Sequence, residues 1–90
     1  MNLEIEEIIT LDDGKEYIVA SKTNYENEVY YCFIDYETNE TVKYLKEDKE
    51  TVGALVEITN QEIIIKLIPL FIKNAEHIFK EVFEKLESEN

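Results

Sequence analysis

Glycine, proline, cysteine and histidine are nearly missing from this chain of 90 residues, which holds two, one, one and one of them. Each shortage excludes something. With so few backbone breakers, regular structure should cover most of the chain. Phosphate-cradling loops need several glycines together, and Gly14 and Gly53 stand alone. One cysteine, Cys32, excludes an internal disulfide. In its apolar run a free thiol behaves as a small hydrophobe, which suits a reducing cytosol. One histidine, His77, leaves no ligand set at metal spacing and no base for a nucleophile triad. It reads as an ordinary helix residue beside Glu76, so neither metal nor cofactor is expected.

Positive charge is also short: 9 Lys plus Arg stand against 21 Asp plus Glu, a net charge of -12. Phosphate neutralisation needs cations, so direct binding of nucleic acid is disfavoured, and anionic membrane surfaces with it. Solubility or a basic partner fits the balance better. No apolar run reaches membrane-spanning length, since the stretch Ile63 to Ile72 is broken by Lys66 and Pro69. The opening MNLEIEEIITL carries glutamates and no basic segment, unlike a signal peptide. A cytoplasmic protein is expected.

What is present is apolar content, at 44% of the residues, enough to build a core despite the charge. The length suits a single domain over residues 1–90. Leu3, Ile5, Ile9 and Leu11 share one parity, as in a half-buried strand. Asp12-Asp13-Gly14-Lys15 follows and signals a hairpin, because Asp and Gly tolerate positive φ. A second strand is expected over Glu16 to Lys22, with a polar turn from Thr23 to Asn27. Val29 to Tyr36 is apolar or aromatic at nearly every position, so both faces should be covered and the strand should lie inside the sheet. Thr41 to Lys46 and Ala54 to Ile58 complete about five strands.

At Ile58 the period changes. Thr59 and Glu62 have capping-box spacing. Beyond them Ile64, Leu67, Ile68, Phe71, Ala75, Ile78, Phe79, Val82 and Leu86 recur in steps of three and four, the stripe of an amphipathic helix. Pro69 falls inside the stripe and predicts a kink or a split. Strands followed by helix make an α+β fold: an antiparallel β-meander with a C-terminal helix on one face.

The segment Ile8-Ile9-Thr10-Leu11-Asp12-Asp13-Gly14-Lys15-Glu16-Tyr17-Ile18-Val19, with Leu55-Val56-Glu57-Ile58 before the helix, resembles the YrzB-like family of small acidic bacterial proteins of unknown function. The third strand here is richer in tyrosine and the helix more apolar than in that pattern. The resemblance implies a small cytoplasmic protein and carries over no functional residue.

No catalytic constellation stands out. Asp35 to Glu40 looks superficially like a calcium loop but lacks the central glycine and the ligand order. Six tyrosines lie in the β part, where they either pack their rings or form a binding face. Ile65 and Ile72 lie together outside the helical stripe, with Leu70 and Phe83 as further apolar extras. They form either a wide core contact or a protein interface, for a partner or a homodimer. A non-enzymatic interaction domain is therefore expected. The alternatives are an acidic nucleic-acid mimic, such as a phage inhibitor, and an enzyme with dispersed carboxylates.

Overall fold

Turn chemistry sets the order of the strands. The computed structural model describes residues 3–75. In it β1 (Ile8–Thr10), β2 (Glu16–Tyr25), β3 (Glu28–Asp35), β4 (Val42–Glu47) and β5 (Leu55–Glu57) form one antiparallel sheet in sequence order. The helix α1 (Gln61–Asn74) follows. The chain is thus an α+β meander. Between β1 and β2 the Gly14 N–H bonds the Leu11 carbonyl, and Leu11 N–H bonds Lys15. Gly14 has φ of 82°. This is a type I turn closed by a glycine bulge, the geometry Asp-Gly favours. β2 runs on to Tyr25, past the expected end at Lys22. It turns on Glu26 and Asn27 alone, both with positive φ, so that Tyr25 faces Glu28. A two-residue turn of that hand matches the strand twist.

β1 is shorter than the alternation of Leu3 to Leu11 suggests. Glu6 takes φ of 77°, and Glu6 and Glu7 both bond the backbone of Val19. That kink releases Leu3 to fold over Tyr31, whose hydroxyl accepts from the Leu3 N–H at 3.3 Å. β3 lies inside the sheet, and Tyr30 to Asp35 are all buried.

The helix begins one residue later than the Thr59 spacing suggests. Asn60 is the cap, and its side chain accepts from Glu62 N–H at 2.9 Å. Pro69 lies exposed inside one uninterrupted helix, so no split occurs there. Leu67, Phe71 and Ala75 bury against Ala20, Tyr30, Cys32 and Ile34, and Ile64 is buried too. Ile78, Phe79, Val82 and Leu86 of the stripe fall outside the described residues.

β2 carries a bulge between Val19 and Ser21, which places Ala20 and Ser21 opposite Cys32. The Ser21 hydroxyl donates to the Phe71 carbonyl at 2.7 Å. That carbonyl is in the last turn of the helix, where intrahelical donors run out. Asn74 adds bonds to the Lys22 carbonyl and the Thr23 hydroxyl. The helix is thereby pinned to one face of the sheet at its C-terminal end.

Candidate functional site

The other sheet face holds a second apolar cluster of Leu3, Tyr17, Val19, Tyr31, Phe33 and Leu45, with Ile9, Leu11 and Leu55 packed against it. β1 and β5 are the two edges of this sheet. In a flat sheet four strand spacings would hold them roughly 19 Å apart. Instead both border one cleft of about 580 Å³, lined by Ile9, Thr10 and Leu11 from one side and Ala54, Leu55 and Glu57 from the other. The sheet therefore curls so that its edges face each other across a gap, with Leu45 and Lys43 of β4 between them. Twist accumulated over five strands produces such curling.

Polar groups gather at one wall. The Tyr17 hydroxyl donates to Asp13 Oδ2 at 2.7 Å. Lys43 Nζ lies 3.2 Å from the same oxygen, 3.8 Å from Glu57 Oε1, and 5.5 Å from the centre of the Tyr17 ring. Asp13 also accepts from the Lys15 N–H at 2.9 Å. The hydrogen bond from Tyr17, reinforced by the Lys15 N–H and Lys43, holds the Asp13 carboxyl down to about 2. Burial, then the bond to Asp13, pushes the Tyr17 hydroxyl above its ordinary value. Asp13 bonded to Lys43 raises the Lys43 ammonium in turn. Near neutrality all three keep one charge state. General acid–base chemistry works best with a group titrating near the working pH, and these three groups are shifted away from it.

The cleft was not visible in the one-dimensional pattern. Nothing in the pattern of Thr41 to Lys46 singles out Lys43, and Asp13 belongs to the Asp-Gly turn signal. The register Phe33↔Lys43 puts Lys43 on the second face. A parity argument from Leu45 would have found it, had the strand's pairing been known.

The residues expected at an interface separate. Ile65 is 66% exposed. Leu70 and Ile72 are half-buried and pack against the core beneath the helix. Phe83, like His77, lies outside the described residues. Among the tyrosines, Tyr17, Tyr30 and Tyr31 are buried, and Tyr36 is the exposed one. Most of them fill core space, and they do not make an open stacking face among the described residues. Cys32 is wholly buried, and burial pushes its thiol well above the ordinary value. Asp35 accepts the N–H groups of Glu37 and Thr38, so it organises the turn that resembled a calcium loop. Among the described residues no three acids, cysteines or histidines gather to hold a metal ion, and no helix is long and apolar enough to cross a membrane.

Comparison of the chain with protein-family models, curated proteins and solved structures gives no match.

Proposed function

We propose that this chain is a non-enzymatic protein-binding domain of the cytoplasm, engaging its partner through the cleft between β1 and β5. One observation carries the reading: an open concavity of about 580 Å³ that sets the apolar side chains of Ile9, Leu11, Leu45 and Leu55 beside Asp12, Asp13 and Glu57, with Lys43 as the one cation of the lining. Such a surface offers burial for an apolar side chain and net attraction for a basic one. The fixed charge states of Asp13, Tyr17 and Lys43 favour recognition over catalysis. The hairpin's resemblance to YrzB-like proteins enters this reading as a proposal of kinship. A random-peptide display library selected against the wild-type protein and a Glu57→Trp variant tests the function. Glu57 is exposed and shares the cleft face with Leu55 and Leu45, so the larger side chain fills the cleft mouth without opening the core. Enrichment of basic, apolar sequences that vanishes with Glu57→Trp is expected. No enrichment, or equal enrichment on both proteins, would overturn the reading.

Self-association through the helix is a second reading, favoured by the 66% exposure of Ile65. Sedimentation of wild type against Ile65→Glu decides it. A wild-type chain that stays monomeric at high concentration removes it.

A further inference from the structure

The two edges that border the cleft are unpaired among the described residues, because β1 pairs only β2 and β5 pairs only β4. Their backbone phase follows from bonds already in place. The Ala54 carbonyl accepts from Asp48, and the Ile58 N–H bonds the Tyr44 carbonyl. Alternate residues of an antiparallel strand bond to the same neighbour. Ala54, Val56 and Ile58 therefore face β4, and Leu55 and Glu57 turn their N–H and C=O groups toward the gap. The Leu55 and Glu57 side chains line the cleft itself. A strand laid beside β5 would meet free backbone partners along its length. Its inward side chains would meet Leu55, Leu45 and Leu11 as well as the carboxylates.

From this geometry we infer that the cleft takes an extended basic segment of another protein, which adds to the sheet as a sixth strand along β5. The inference rests on the protein-binding reading above and specifies its mode. Charge selects the occupant. The cleft bears three carboxylates and one ammonium, and the chain as a whole carries -12. A second copy of this chain would bring like charge to like, whereas Lys or Arg near Asp13 and Glu57 completes the cluster. Main-chain bonds supply affinity in this kind of recognition, and alternate side chains supply specificity. The charged, three-residue form of β5 also keeps the open edge from pairing with itself.

The probe is a synthetic peptide of about eight residues, an ordinary strand length, alternating serine with leucine, valine, lysine and arginine. Its binding is read by amide shifts of the isotope-labelled full chain. The expected result is saturable binding, with shifts and new inter-strand contacts at Leu55 and Glu57. Methylation of alternate peptide nitrogens should weaken it by at least about tenfold, as expected for two lost hydrogen bonds. Glu57→Lys, an exposed change that leaves the core intact, should weaken it as well. An amphipathic helical peptide of the same composition is the contrasting probe. If that helix binds in a Glu57→Trp-sensitive way and the extended peptide does not, strand addition is overturned while partner binding at the cleft stands. If methylation leaves affinity unchanged, strand addition is again overturned. If neither peptide binds below about 1 mM, both readings fall.

Discussion

Tyr31 is held from two sides. Its ring stacks on Phe33 at 5.9 Å, and its hydroxyl donates to Glu47 at 2.7 Å while accepting from Leu3 N–H. Burial, then the bond to Glu47, pushes the hydroxyl up to about 12. Tyr44, stacked on Phe71, is raised to about 12 by burial. A group whose folded value is raised stabilises the fold below its unfolded value, near 10 for tyrosine. That contribution is lost as pH rises toward 12. Alkaline titration followed by tyrosinate absorbance should therefore show two tyrosines ionising late and together with unfolding. Early, fully reversible ionisation of all six would contradict it. Asp13 has the opposite sign. Its value is lowered from 3.8 to about 2, so its contribution is complete above about 4 and disappears as pH falls toward 2. The stability gap between wild type and Asp13→Asn should narrow across that window, which urea melts at successive pH values would measure. Neither tyrosine was assignable from the sequence, since a strand tyrosine has the same local pattern whether its hydroxyl is wet or dry.

The strands and helix were readable where their signals are local. Asp-Gly set the first turn, the unbroken apolar run of β3 set its interior place, and three- and four-residue steps set the buried helix face. The misses have tertiary causes. Leu3 has strand parity but leaves the sheet because Tyr31 gives it a place to bury. Thr23 and Asn24 look like turn residues, yet both extend β2 alongside β3, Thr23 opposite Tyr30 and Asn24 opposite Val29. Amide exchange should accordingly be slowest in β3, bonded on both sides, and faster in β1 and β5, each bonded on one. The reverse order would contradict this sheet. The β2 bulge had no sequence signal, and its consequence is the Ser21 bond to the Phe71 carbonyl. Ser21 is fully buried, so Ser21→Ala leaves that carbonyl without its donor. A loss of about 1–3 kcal/mol is expected from chemical denaturation. A loss within error would mean the helix docks by packing alone.

The charge of -12 belongs to no single element, and its effect opposes folding. The radius of gyration is 12.3 Å. A sphere of about 16 Å carrying that charge has a self-energy of roughly 20 kcal/mol in unscreened water, against roughly 8 kcal/mol when expanded to about 38 Å. Screening shrinks this difference, to roughly 9 kcal/mol at a Debye length of about 30 Å and roughly 5 kcal/mol at about 8 Å. Salt also weakens the pairs Lys43–Asp13, Lys43–Glu57 and Lys46–Glu28. Their side chains are 25% to 51% exposed, so each contributes only about 0.2–1 kcal/mol, and screening removes part of that. Self-repulsion therefore wins. Raising sodium chloride from about 10 mM to about 150 mM should lift the thermal midpoint by at least about 5 °C. Chloride is the salt of choice because sulfate also strengthens apolar burial. A midpoint that falls would mean that the three ion pairs outweigh the net charge. Partner binding at the cleft should move the other way. Attraction between a basic segment and the Asp12, Asp13 and Glu57 rim is itself screened, so the same salt step should weaken the peptide complex while it stabilises the free domain. Measured on one sample, the two opposite slopes separate charge that resists folding from charge that recognises a partner.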